Sequence, residues 1–271
     1  MGYKLIFSDL DGTLLNKEGE LSRENTEALE ELAARGVRLI PATGRCVDEI
    51  PALLKEHKAI RELISSNGAR TLNSKSGEAT AVFSIGRDAL LLLDRLRREF
   101  GALECYHANG HVHASREEMA HHADFGMNEY YYAAIHPHAT YPADFDATRK
   151  GLDELDMCAW FFKDTARLQE CRELLAEDGR FSLTASSEHV LEIIARGVSK
   201  GAALRRVAEQ YGVPLSDTVA VGDSRNDIAM LEAAGLALAV ENAAEATKEA
   251  ADRVICDHRA HILPYILDHI L

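Results

Sequence analysis

Short apolar runs recur along the chain, and most of them stop abruptly at polar or glycine residues. The run over 5–7 reads as a buried parallel strand and ends in Asp9-Leu10-Asp11-Gly12. A helix is predicted over roughly 22–35, with Ser22 as N-cap, Leu29 and Leu32 on one face and Gly36 as its stop. A strand over 37–40 leads into Pro41-Ala42-Thr43-Gly44-Arg45, and a helix is expected over about 47–57. A third strand, 62–66, ends in the turn pair Asn67-Gly68, and short extended pieces follow at 71–72 and 79–83. Strand, helix, strand, helix, strand implies parallel order with right-handed crossovers.

The pattern changes over about 84–187. A helix over 87–100 precedes a hairpin, 103–107 and 111–114, turning at Asn109-Gly110. Residues 117–143 are rich in His, Tyr and Ala and show weak periodicity. A helix over 145–155, a strand over 157–162, a helix over 165–177 and a strand over 181–185 complete a small α+β module. Regular alternation then returns: a strand over 189–195, a helix from Ser199-Lys200-Gly201 to Tyr211, a strand over 218–221, a helix over 226–234, a strand over 236–240, a helix over 245–251, a short extended piece at 253–255 and a final helix. The simplest architecture is one α/β core, 1–83 with 188–271, carrying the module 84–187 between its halves. Because the core strands end in polar residues, the module is expected to act as a cap that shields those ends from water.

Composition narrows the functional classes. Forty-six per cent of the 271 residues are hydrophobic, ample for a sizeable core. There is no run of about eighteen apolar residues, so no membrane partner is expected. The N-terminus enters the first strand almost at once, and the five cysteines are dispersed without a Cys-x-x-Cys. Both point to a reducing cytoplasm. A formal net charge of −14 disfavours nucleic acid, although a small anionic ligand remains compatible with a locally positive cleft.

Candidate chemistry lies at four strand ends or helix starts. Asp9 and Asp11 repel one another, so either one holds its proton or a hard cation intervenes. Both outcomes suit phosphoryl chemistry, with one carboxylate attacking phosphorus and the other moving protons. Read instead as a calcium loop, Asp9 would open it and Glu20 close it, but Leu14 stands where glycine is required and a strand precedes the loop. Thr43, near a helix start, can donate to a phosphate oxygen. Lys200 offers a point charge at another helix start. Asp223 and Asp227, four apart on a strand-to-helix turn, can face one spot. Taken singly, each has a structural reading as a turn residue, a cap or a solvated charge.

Taken together, Asp9-Leu10-Asp11-Gly12-Thr13-Leu14, Ala42-Thr43-Gly44-Arg45, Ser66-Asn67-Gly68-Ala69, Gly197-Val198-Ser199-Lys200-Gly201 and Gly222-Asp223-Ser224-Arg225-Asn226-Asp227-Ile228-Ala229-Met230-Leu231 closely resemble the haloacid dehalogenase superfamily, in particular its Cof-like phosphatases with a type IIB cap. The resemblance implies an α/β fold: a Rossmann-like parallel-sheet core with an inserted α+β cap. It also implies Mg²⁺ held by Asp9, the backbone carbonyl of Asp11 and Asp223, with Asp227 ordering the shell. Asp9 would be the nucleophile and Asp11 the acid and then the base. Thr43 with Gly44, and Lys200, would hold the phosphoryl group, with Asn226 contacting it. Dehalogenase members lack the second acid of the first motif; Asp11 is present, which favours phosphoryl transfer. The expected substrate is a small phosphorylated metabolite such as a sugar phosphate or a phosphorylated cofactor, and the expected state is a monomer or homodimer. The rivals are a phosphotransferase or mutase on the same scaffold and a non-catalytic binding protein.

The chain departs from the family pattern in two places. Val240-Glu241 precedes Asn242-Ala243 where the family usually has methionine, a difference expected to touch packing. The tail Cys256-Asp257-His258-Arg259-Ala260-His261 replaces the usual acidic-glycine stretch. The cap region is also crowded with histidine (His107, His111, His113, His121, His122, His136 and His138), and His111-x-His113 or His136-x-His138 could bind a transition metal, although no carboxylate or cysteine completes a clear set in sequence. Cys46 reads as a small residue opening a helix.

Overall fold

A computed structural model describes residues 2–271. In chain order its regular elements are β1 (Leu5–Ser8), α1 (Arg23–Ala34), β2 (Arg38–Pro41), α2 (Ala52–Glu56), β3 (Glu62–Ser65), β4 (Arg70–Asn73), β5 (Ala79–Val82), β6 (Ile85–Gly86), α3 (Arg87–Phe100), β7 (Leu103–Ala108), β8 (His111–Ala114), α4 (Arg116–Ala120), α5 (Glu129–Ile135), α6 (Phe145–Lys150), β9 (Glu154–Leu155) and β10 (Met157–Phe161). There follow α7 (Thr165–Asp178), β11 (Phe181–Thr184), β12 (Val190–Ala195), α8 (Lys200–Gln210), β13 (Thr218–Gly222), α9 (Ile228–Leu231), β14 (Leu236–Ala239), α10 (Glu245–Glu249), β15 (Arg253–Val254) and α11 (Ile262–His269). The chain forms two compact units: Met1–Gly44, Ile50–Ala81 and Ser199–Leu271, and Arg45–Glu49 with Val82–Val198. No helix among the described residues is long and apolar enough to cross a membrane.

The first unit is built on a parallel sheet in the order β15-β14-β13-β1-β2. β1 lies inside the sheet, between β13 and β2, and is buried at every position, as a strand covered on both faces must be. Two apolar layers flank the sheet. Ile6, Leu39, Val219 and Leu238 pack with α1 and α11, while Leu5, Phe7, Ile40 and Ala220 pack with α8 and α9. α1 starts where Ser22 accepts the Asn25 N–H. β3 touches the parallel sheet through a single bridge, Ala42 to Ile64, and otherwise pairs antiparallel with β4 in a separate order β3-β4-β5. The Ser66-Asn67 turn, with φ of 49° and 55°, reverses the chain too soon for a crossover.

The second unit is a fully antiparallel sheet, β11-β12-β10-β7-β8. Its helical layer joins Leu90, Leu93 and Phe100 of α3 and Leu168 and Leu175 of α7 to Tyr106, Trp160, Leu191 and Ile193 of the strands. Glu104 is buried in this layer. It accepts from Arg149 Nε at 3.1 Å and from Trp160 Nε1 at 2.9 Å, and these partners hold its carboxyl below the usual range despite burial. A buried carboxylate persists where it is paired and hydrogen-bonded.

Several elements differ from the sequence expectation. The helix expected over 47–57 forms only over Ala52–Glu56, because Pro51 is its N-cap and disfavours a helical residue before it. The helix expected over 145–155 ends at Lys150 before Gly151, and Leu155 pairs instead with Ile85. The helix expected over 226–234 is a 3₁₀ turn at Arg225–Asp227 continued by α9. The strand expected over 189–195 forms as β12, but it pairs with β10 and β11, so 188–198 joins the second unit. Residues 117–143, without clear periodicity, hold two short helices capped by Ser115 and Asn128.

Gly201, at the start of α8, has no room for a side chain, since an added Cβ would meet Ala229 O at 1.9 Å. Gly201→Ala is expected to force α8 from α9 and to destabilise the protein by about 3 kcal/mol, read as a lower denaturation midpoint at unchanged m-value.

Candidate active site

β1 delivers Asp9 to the carboxyl edge of the sheet, where an open α/β sheet offers its ligand crevice. The Asp9 N–H donates to Val221 O of the neighbouring β13 at 3.0 Å, which fixes where the side chain starts. The chain then turns tightly through Leu10–Leu14 with Gly12 at φ 75°. Gly12 is required twice over: its backbone is left-handed, and an added Cβ would lie 2.6 Å from Asp223 Oδ2.

α8 brings the cation. Ser199 caps the helix by accepting from Ala202 N, and Lys200 follows as its first residue. The Lys200 side chain is fully buried, and its Nζ donates to Asp9 Oδ1 at 2.6 Å and to Asp227 Oδ1 at 2.7 Å. The second oxygen of Asp227 accepts the N–H groups of Asp223 and Ser224, both at 3.0 Å. Asp227 thus ties the turn after β13 to the lysine and aims Asp223. Thr13 donates to Asp223 Oδ1 at 3.3 Å, joining the first loop to that turn.

Oxygens of Asp9, Asp223 and Asp227 lie within 4.8 Å of one another. With all three ionised, three negative charges face one ammonium, leaving two negative charges in a buried space. Burial pushes the Asp9 carboxyl up, the Lys200 ammonium opposes this, and the charges of Asp227, Asp223 and Asp11 push it further up. Asp223 is raised to about 7, by burial first and by the Asp227 charge second. Lys200 is held above its usual value by Asp227 and Asp9, which outweigh burial. An all-oxygen donor set with two uncompensated negative charges fits a hard divalent cation.

The predicted residues are not equally close. Asp9, Lys200, Asp223 and Asp227 form the tight cluster. The Asp11 carboxylate stands outside the three-carboxylate group, although its charge reaches Asp9. Thr43 and Gly44 follow β2, where Thr43 N donates to Ile64 O and Thr43 O accepts from Asn67 N. Asn226 Nδ2 donates to Asn67 Oδ1 at 3.1 Å, and Asn226 Oδ1 is buried without a hydrogen-bond partner. Sequence reasoning gave no role to Thr13, Asn67 or Asn242. The first two lay inside quoted motifs, and that was the available signal. Asn242 Nδ2 donates to Gly12 O at 2.8 Å while its oxygen accepts from the His258 N–H at 3.1 Å and the His258 ring at 3.0 Å. The divergent tail is therefore tied to the first loop. Because an amide oxygen only accepts, His258 Nδ1 carries the hydrogen. Val240, the other departure, is fully buried in the apolar layer.

The haloacid dehalogenase-like hydrolase family model matches residues 6–262, and the chain belongs to that family. A curated relative from Bacillus subtilis, Phosphatase YwpJ, is 31% identical over 99% of this chain and 100% of its own. Another from the same organism, 5-amino-6-(5-phospho-D-ribitylamino)uracil phosphatase YwtE, is 29% identical over 99% of this chain and 98% of its own. A solved haloacid dehalogenase-like hydrolase from B. subtilis superposes with a TM-score of 0.85 at 28% identity, covering 99% of this chain and 100% of that one. The protein is a phosphatase of the haloacid dehalogenase superfamily, with the α/β parallel-sheet core of that fold.

The raised Asp223 carboxyl carries a sign for stability. An unfolded aspartate titrates near 3.8 and the folded one near 7, so between these values the folded state keeps a proton that the unfolded state has released. The favourable contribution is complete at low pH and fades as pH rises through 7. In EDTA, wild type should lose stability relative to Asp223→Asn between pH 5 and about 8 in urea melts. A difference that does not change with pH would refute this account.

Proposed function

We propose that the protein is a Mg²⁺-dependent phosphomonoesterase that hydrolyses a small phosphorylated metabolite through an aspartyl-phosphate on Asp9. The observation that carries this reading is the buried Asp9 carboxylate, paired with Lys200 at 2.6 Å and grouped with Asp223 and Asp227 within 4.8 Å. Mg²⁺ would be held by Asp9, the Asp11 carbonyl and Asp223. Once bound, it would neutralise charge on the transferring phosphoryl group. Family members are generally metal-dependent, which supports the choice.

In the first step an Asp9 oxygen bonds to phosphorus as the ester P–O bond breaks, and Asp11 gives its proton to the leaving oxygen. In the second step Asp11 takes a proton from water, the water oxygen attacks phosphorus, and the Asp9–phosphorus bond breaks to release inorganic phosphate. Lys200, the Thr43 hydroxyl and the Gly44 N–H hold the phosphoryl oxygens. Positioning and charge compensation are most of what such a transition state requires. Asn226 Nδ2 gives one of its two hydrogens to Asn67 Oδ1, and the second can donate to a phosphoryl oxygen. Residues 84–187 would act as the cap that sets substrate choice and excludes water. The dispersed free cysteines support a cytoplasmic setting.

Asp9→Asn should lower kcat on the order of 10⁴-fold, measured as phosphate release, because it removes the attacking carboxylate. EDTA should abolish turnover and excess Mg²⁺ restore it; full activity in EDTA removes the metal from the mechanism. The substrate panel should combine sugar phosphates with 5-amino-6-(5-phospho-D-ribitylamino)uracil, the compound for which one relative is named. A rate that depends on an added sugar acceptor would instead mark a phosphotransferase.

A further inference from the structure

The segment Arg45–Glu49 belongs to the second unit and closes on itself. Cys46 N donates to Glu49 Oε2 at 2.6 Å, Glu49 N donates to Cys46 O at 3.2 Å, and Arg45 Nη1 donates to Glu49 O at 2.8 Å. Asp48 Oδ2 lies 2.7 Å from His111 Nδ1, which pins the segment to the β7–β8 hairpin. His107, on β7, alternates with Tyr106 and so projects from the sheet face opposite the helical layer. Its Nε2 lies 3.8 Å from Glu49 Oε2. Cys46, Glu49 and His107 are all buried, and one donor atom from each falls within 4.8 Å of the others.

We propose that Cys46 Sγ, Glu49 Oε2 and His107 Nε2 form a binding site for Zn²⁺, separate from the three-aspartate cluster of the first unit. The donor set argues for the class of metal. A thiolate, an imidazole and one carboxylate suit a borderline transition ion, whereas the aspartate cluster is all oxygen. Zinc–ligand bonds of about 2.0–2.3 Å put tetrahedral ligand edges near 3.5 Å, so this group needs only a small contraction. Charge agrees as well. One thiolate, one carboxylate, one neutral imidazole and one dication sum to zero, the state that a buried site tolerates best.

Protonation is consistent with the same chemistry. Burial drives His107 down to about 3 and leaves its ring neutral, the form in which imidazole ligates a metal. Burial, followed by the Glu49 charge, pushes the Cys46 thiol up, so without metal it keeps its proton. Binding forms the zinc–sulfur bond as the thiol S–H breaks, and about one proton per ion goes to solvent. Cys105, two residues before His107 on the same strand face, also feels the Glu49 charge and is the neighbouring thiol nearest in sequence to the site. Of the histidine pairs that sequence alone suggested, His111 bonds Asp48, His113 stacks on Tyr106, and His136 bonds the Tyr141 hydroxyl at 2.6 Å.

The test uses the full chain and Co²⁺ as an optical stand-in for Zn²⁺. Wild type should show thiolate-to-cobalt charge-transfer absorption that saturates with one Co²⁺ at this site and releases about one proton as it forms, and Zn²⁺ should remove that band by exchange without further proton release. Cys46→Ser should lose the band. Asp223→Asn should keep it, which separates this site from the proposed Mg²⁺ site. Glu49→Gln still offers an oxygen to the Cys46 N–H and should keep the fold while weakening cobalt binding at least 10-fold. No band in wild type at saturating Co²⁺, or an equal band in Cys46→Ser, overturns the proposal. Should Cys46→Ser fail to fold, unchanged cobalt affinity in Glu49→Gln overturns it equally.

Discussion

The Lys200 ammonium, buried between Asp9 and Asp227, is the constraint on which the first unit turns. A charge taken out of water is costly, and only close, hydrogen-bonded partners offset the cost. Those partners come from residues 191 and 27 positions away, so the interaction exists only once β1, β13 and α8 have assembled. Losing one carboxylate would leave Lys200 paired with the other, whereas losing both would strand a buried cation. The same arrangement leaves surplus negative charge, which suits a divalent cation. One set of contacts thus serves folding and presents the oxygens that phosphoryl chemistry needs.

Backbone geometry supports this cluster at close range. Gly12 yields space to Asp223, and Gly201 lets α8 lie against α9. Asp227 spends one oxygen on two backbone N–H groups and the other on Lys200, so the turn after β13 is held rather than mobile. The divergent tail adds a strut through Asn242 to the Gly12 carbonyl, so replacing the family's usual stretch has not detached that segment from the first loop.

The second unit solves a similar problem differently. Its buried charges, Glu104 with Arg149 and Arg97, sit in the helical layer among aromatic rings, and there arginine side chains compensate the carboxylates. On the opposite sheet face the donors are mixed, sulfur, nitrogen and oxygen, near His107. The two units therefore offer ions different chemistries, hard at the three aspartates and borderline at Cys46.

Sequence alone determined much of the regular structure: α1, α3, α7, α8 and the β7–β8 hairpin carry their period, caps and turns locally, and local signals are readable from local residues. It also placed Asp9, Lys200, Asp223 and Asp227 at strand ends and helix starts, from which their meeting could be anticipated. What it could not carry were choices made by distant partners. Residues 145–155 look helical throughout, yet Leu155 is taken by Ile85; β12 reads like any core strand, yet β10 and β11 claim it. Cys46, Glu49 and His107 are separated by up to sixty residues of chain, and nothing in their local pattern announces a common site. Hydrogen-bond partners and burial are properties of the assembled chain, so only tertiary structure decides which polar residues end up facing one another.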